Sequence, residues 1–157
     1  MRSSSVLLNP TSDKALVRFM RLFMDGLAIN VLDGEKVIGN SVAKSQFDYL
    51  VDPGKHLFIA TAENKAFLEA ELEAGKTYYV ITRIYMGAWT GRVAFVPVNK
   101  GSEFWDKVNE YERSLKKLEP DMASLKSWEE QNKPKIQNVL SGYESAWKDK
   151  HQWPKLM

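Results

Sequence analysis

Hydrophobic and polar residues alternate with period two through most of the first hundred positions, then recur every three or four. Ala66 to Leu72 shows the first pattern best: Ala66, Leu68, Ala70 and Leu72 share one parity, Glu69 and Glu71 the other. Successive side chains of a strand point to opposite faces, so this spacing predicts a strand with its apolar set turned to a core. Phe67 has the polar parity and is expected to lie under another element. Ala15 to Phe23, Ala28 to Asp33, Gln46 to Val51, His56 to Ala62, Thr77 to Tyr85 and Arg92 to Val98 also read as strands. Phe47, Tyr49 and Val51 share one face, and Val93 and Phe95 point inward. Asp33-Gly34, Asp52-Pro53-Gly54-Lys55 and Ala74-Gly75-Lys76 supply turns. Thr77 to Tyr85 has large apolar groups on both parities, as in a strand covered on both faces. About seven short strands at this spacing predict a β-sandwich.

The pattern changes near Lys100. Seven of the nine glycines precede it, and four of the five tryptophans follow it. Ser102 is a candidate helix cap, with Glu103 and Asp106 in the first turn and Phe104, Val108, Tyr111, Leu115 and Leu118 along one stripe ending at Pro120. Asp121 is a candidate cap for a second helix carrying Met122, Leu125 and Trp128. Pro134 suits the first turn of a third, with Ile136, Val139, Leu140, Tyr143 and Trp147 on its apolar face. Isolated helices of this length are marginal in water, so these stripes are expected to pack on the sandwich.

Composition narrows the function. The chain has 157 residues, 22 basic and 20 acidic, for a net charge of +2. That balance lacks the basic footprint of a nucleic-acid binder. With no cysteine and two histidines, disulfides, thiolate metal sites, a cysteine nucleophile and a histidine-rich metal centre are excluded. No stretch reaches the roughly 20 apolar residues of a membrane span. The apolar run Val6-Leu7-Leu8 is too short for a signal peptide. Residues 1–13 read as a flexible leader, which fits a cytosolic chain or a mature fragment whose export signal has been removed.

Two segments, Val51-Asp52-Pro53-Gly54-Lys55-His56 and Leu72-Glu73-Ala74-Gly75-Lys76-Thr77-Tyr78-Tyr79-Val80, resemble a bacterial family of uncharacterised domains common in lipoproteins. Met86-Gly87-Ala88-Trp89 and Val96-Pro97-Val98 are similar to that family's next elements. The resemblance covers residues 14–100 and implies an immunoglobulin-like antiparallel β-sandwich in the periplasm or at the cell surface. It implies no catalytic residues and no cofactor. The lipid-carrying cysteine of the lipoprotein members is missing, so a lipid anchor would require a cysteine upstream of this chain. The expected organisation is a leader (1–13), a sandwich of about seven strands (14–100) and a helical extension packed on it (101–157).

Candidate chemistry is sparse. His56 opens a strand beside a turn, and no nucleophile elbow accompanies it. Asp25, Asp33, Asp48, Asp52 and Glu63 could in principle supply paired carboxylates, and the Asp33-Gly34-Glu35 loop calcium oxygens. Most lie in turns, where Asp serves backbone geometry. Gly87 to Gly91 lacks the Gly-Lys-Ser/Thr ending of a phosphate loop. Two aromatic groups are candidate binding residues. Tyr85, Met86 and Trp89 surround a glycine-flanked loop suited to stacking on a sugar or seating a protein, unless Trp89 folds back on the sandwich. Trp147, His151 and Trp153 are interleaved with Lys148, Lys150 and Lys155, either to touch an acidic surface or to dock on the core. The expectation is a non-enzymatic accessory or interaction module with a protein or glycan partner in the cell envelope. A glycan- or small-ligand-binding module built on the Trp89 loop is the alternative.

Overall fold

The computed structural model describes residues 2–3, 6–22, 28–62, 64–86, 91–147 and 154–157. The strands are β1 (Arg2–Ser3), β2 (Ala15–Arg21), β3 (Ile29–Asp33), β4 (Lys36–Ser41), β5 (Ser45–Val51), β6 (Gly54–Thr61), β7 (Lys65–Leu72), β8 (Thr77–Met86), β9 (Gly91–Pro97), β10 (Lys116–Glu119) and β11 (Lys155–Leu156). The helices are α1 (Val108–Ser114), α2 (Met122–Gln131) and α3 (Lys133–Gly142). A first sheet has the order β1-β10-β5-β2-β8-β9, a second β11-β7-β6-β3-β4.

The strand parities read from the sequence set the layer between the sheets. Val17 and Phe19, Phe47 and Val51, and Val80, Val93 and Phe95 face Val31, Phe58, Ala60, Leu68, Ala70 and Leu72 across it, all buried. Phe19 stacks on Phe47 at 5.0 Å and meets Phe58 edge-on at 5.2 Å. Gly39 makes room for that stack: a Cβ there would sit 2.3 Å from the Phe47 ring. The Asp33–Lys36 turn needs glycine for another reason, since Gly34 has φ of 59°.

The strands are not all antiparallel, contrary to expectation. β2 runs parallel to β8, β10 to β5, and β11 to β7. Eight strands, not seven, lie within residues 15–97. The tail adds two more, so it is not purely helical. The predicted first helix stops at Ser114 rather than running through Leu118, because Leu115 turns extended (φ −78°, ψ 140°). The next residues join the exposed edge of β5. An edge strand offers unpaired N–H and C=O groups, and filling them outweighs one more turn of helix. Ser102 caps nothing; its buried hydroxyl has no partner among the described residues. Asp121 does cap α2: its Oδ1 accepts from the Ser124 amide at 3.5 Å, and its Oδ2 from the Ser124 hydroxyl at 3.1 Å.

The tail covers both outer faces. Met20 and Ile81 of the first sheet lie under Val108 and Leu115. Leu32, Ile59 and Phe67 of the second lie under Leu125, Ile136, Val139 and Tyr143. The Phe67 ring is 4.7 Å from that of Tyr143, which explains its apolar side chain at a polar parity. Met122, expected on the apolar stripe of α2, is exposed. Leu156 then enters the inter-sheet layer itself, 1% exposed. Each large side chain so buried contributes about 1.5–3 kcal/mol.

Candidate functional site

The outer face of the first sheet divides into two parts. In the covered part Arg18 is 5% exposed at its side chain. Its Nε donates to Asp48 Oδ1 at 2.6 Å and Nη2 to the Leu8 carbonyl at 2.8 Å, while Nη1 pairs with Glu112 of α1. Burial opposes the charge of this guanidinium, but the two carboxylates outweigh it and hold Arg18 protonated above its ordinary range. Tyr79 lies beneath, its phenol pushed up by burial and then by Glu112. This cluster joins α1 and residues 6–8 of the leader to the sheet.

The other part is the outer end of the β8–β9 hairpin, where Arg83 and Tyr85 are exposed. Alternation turns Val80, Thr82 and Ile84 inward, and Arg83 and Tyr85 outward. Arg92 lies opposite Tyr85, and Ala94 opposite Arg83. Arg83 is exposed, Tyr85 is 43% exposed and Arg92 is half-buried. Neither arginine is in an ion pair with a described residue. Tyr85 is exposed near the end of β8, and residues 87–90 beyond it lie outside the described residues. The backbone of Met86 pairs with Gly91; Trp89 lies outside the described residues. The arginine partners of Tyr85 were not singled out from the sequence, although strand parity extended from Tyr79 and Ile81 would have placed Arg83 beside it.

The free edge of β9 is closed by a side chain. Asn64 Nδ2 donates to the Val93 carbonyl at 2.8 Å, and the Val93 amide donates to Asn64 Oδ1 at 2.7 Å. Asn64 thus imitates a neighbouring strand. Asn99 repeats the device, donating to the Lys155 carbonyl and accepting from the Met157 amide, both at 3.0 Å. Pro97 offers no N–H at all.

The second aromatic group falls largely outside the described residues. Trp147 closes a π-helical turn at Tyr143–Trp147, and His151 and Trp153 lie outside the described residues. Both flanks are docked: Tyr143 on Phe67, and β11 on β7.

His56 is held between acceptors. Nδ1 is 2.9 Å from Asp33 Oδ2 and Nε2 is 2.8 Å from the Asp52 carbonyl. Tyr49 donates to the same Asp33 oxygen at 2.7 Å, linking the two sheets. Burial, and after it the Asp33 carboxylate, push the Tyr49 phenol well above its ordinary range. The other named carboxylates are spent on cations, Asp48 on Arg18 and Asp52 on Lys14. The Lys14 ammonium holds the exposed Asp52 carboxyl below its ordinary range. Asp25 and Glu63 lie outside the described residues. Among the described residues no group of three or more His, Asp or Glu is placed to hold a metal ion.

An open groove of about 670 Å³ crosses the second sheet between β6, β7, β11 and the end of α3. Lys55 faces Glu71 at 3.8 Å, Lys155 faces Glu69 at 3.7 Å, Tyr143 donates to Glu69, and Asp33 and Glu144 also line it. No helix among the described residues is long and apolar enough to cross a membrane. In comparisons with known proteins, no family model matches the chain and no curated protein matches it.

Proposed function

We propose that this chain is a non-enzymatic interaction module of the bacterial cell envelope, an immunoglobulin-like sandwich that meets its partner through the outer face of the β8–β9 hairpin. The observation that carries the reading is the Arg83–Tyr85–Arg92 face, on which Arg83 and Tyr85 are exposed. The described part of the tail buries apolar outer residues of both sheets, Ile81 and Val96 of this hairpin among them, while Arg83 and Tyr85 further out stay exposed. An exposed tyrosine flanked by arginines is the composition of an interface core, where Tyr and Arg are enriched. A non-catalytic role is supported by how the reactive side chains are used, since His56, Asp33, Asp48 and Asp52 are engaged in structural contacts. The envelope setting rests on the resemblance of the Pro-Gly-Lys-His and Ala-Gly-Lys-Thr-Tyr-Tyr segments to the lipoprotein-associated family. The second reading, a glycan- or small-ligand-binding module on the Trp89 loop, is favoured by the exposure of Tyr85 at that loop's base.

Co-sedimentation of the purified protein with insoluble envelope material tests the proposal. The wild type is expected in the pellet and the Tyr85→Ala variant mostly in the supernatant. A wild type that stays in solution, or a Y85A variant that pellets equally well, contradicts it.

A further inference from the structure

We propose that the partner bound by the hairpin is an anionic polysaccharide, one whose carboxylates are taken by Arg83 and Arg92 while a sugar ring lies against Tyr85. This rests on the hairpin being the contact surface, and it adds the chemical class of what is bound.

The first ground is charge. On the outer faces of the two sheets several charged strand residues have opposite partners: Arg18 with Asp48, Lys55 with Glu71, Lys155 with Glu69. Arg83 and Arg92 have no such partner among the described residues. Arg92 is opposite Tyr85 and diagonal to Arg83, and diagonal cross-strand neighbours are about 7–8 Å apart. Two like charges that close repel, and folding gains nothing from the arrangement. A bound anion removes the repulsion. Guanidinium suits it, because it stays charged and presents a planar fork that matches a carboxylate.

The second ground is shape. The two arginines and the tyrosine lie on one face of a two-stranded ribbon, so a ligand touching all three runs across the strands as a thin chain. Tyr85 presents a ring with an apolar body and a polar tip, a stacking surface for a sugar.

The third ground is what the same face disfavours. An acidic peptide added as an extra strand would need the outward groups of β9, but Asn64 occupies those of Val93 and Pro97 has no N–H. Anionic lipid surfaces are met by clusters of about 4–8 basic residues, and two arginines fall short of that. A nucleic acid calls for a broad basic stripe on a basic domain, which a net charge of +2 does not supply.

Affinity electrophoresis of the full chain in native gels tests the inference, with polygalacturonate as the probe and neutral dextran, phosphatidylglycerol vesicles and a poly-thymidine strand as comparators. Polygalacturonate is expected to retard the wild type. Arg83→Gln or Arg92→Gln should weaken the retardation about fivefold to tenfold each, and 0.5 M salt should abolish it, as for an exposed charge-assisted contact. Lys133→Gln, on α3, should leave it unchanged. Matched melting curves for R83Q, R92Q and wild type establish that the variants fold. Equal retardation by dextran, lost in Y85A but kept in R83Q/R92Q, overturns the anionic class and leaves the hairpin as the contact surface. Retardation by polygalacturonate that survives R83Q/R92Q and Y85A overturns both. Stronger binding to the vesicles or the DNA strand, or no binding to any probe, overturns the anionic-polysaccharide inference.

Discussion

Arg18 and Arg83 stand on the same face of the same sheet, on neighbouring strands, and are treated in opposite ways. Arg18 is enclosed by Asp48, Glu112, the Leu8 carbonyl and the ring of Tyr79. Arg83, with Arg92 diagonal to it, has solvent. Tyr79 and Tyr85 divide likewise: Tyr79 packs edge-on against Trp105 at 6.5 Å, while Tyr85 is 43% exposed. One end of the face has been converted into an anchor for the tail and the leader, and the other has been left out of the fold. A paired, buried arginine is committed to structure, because removing its partner strands a charge. An exposed arginine with no ion-pair partner among the described residues is available to something outside the chain.

The comparison breaks most severely if the tail is dispensable. Removing residues 101–157 would uncover Met20 and Ile81 on one face and Ile59 and Phe67 on the other, and would pull Leu156 from the inter-sheet layer. The expected product is an insoluble or molten β module, and a soluble, cooperatively unfolding fragment by denaturant titration would contradict the anchoring role. Next in size is Asp48→Ala. It leaves the Arg18 guanidinium buried with Glu112 as its one remaining carboxylate, and the expected loss is about 3–5 kcal/mol of unfolding free energy. Arg18→Met strands two carboxylates, Asp48 and Glu112, so it should cost at least as much as Asp48→Ala, and a clearly smaller loss would show that Arg18 is held by packing rather than pairing.

How far these contrasts were readable beforehand depended on locality. Inward-facing Leu68, Ala70, Leu72, Val80, Val93 and Phe95 followed from parity alone, since a slip by one residue would expose the whole set. Glu71 is exposed as expected. Glu69, expected in water, is only half-exposed because Tyr143 reaches down to it. Phe67 announced a covering element by being apolar at a polar position. Long-range pairings were not legible. Nothing local distinguishes Lys116–Glu119 from a last helical turn, and its capture by β5 depends on an edge some seventy residues away in sequence. Arg18 and Arg83 are also indistinguishable locally: each is an arginine set in an apolar strand. What separates them comes from far away in the chain: Asp48 on β5, Glu112 on α1 and the Leu8 carbonyl. Asn64 and Asn99 read as loop residues, because a side chain imitating a strand leaves no periodic trace.

Two smaller effects sharpen the comparison. The Tyr49 phenol is held protonated in the folded state by burial and by Asp33. The folded chain therefore keeps a proton that the unfolded chain releases near pH 10. Stability should be fully present below that pH and fall as pH rises above it, and Tyr49→Phe should flatten this alkaline limb in unfolding experiments run across pH 8–11. An unchanged limb would mean that Tyr49 is ionised as easily in the fold as out of it. Least of all, Arg83→Gln and Arg92→Gln should each shift unfolding free energy by no more than about 0.5 kcal/mol, as surface substitutions do. A larger loss would make these arginines structural and erase the contrast with Arg18.

The claim that the hairpin face is the contact surface is tested most directly by following backbone amide resonances while polygalacturonate is added to the full chain. Shifts are expected at Arg83, Tyr85, Arg92 and Ala94, with the amides of Lys55, Leu57 and Glu71 in the second-sheet groove unmoved. Shifts concentrated in that groove, or none on the hairpin, would contradict it.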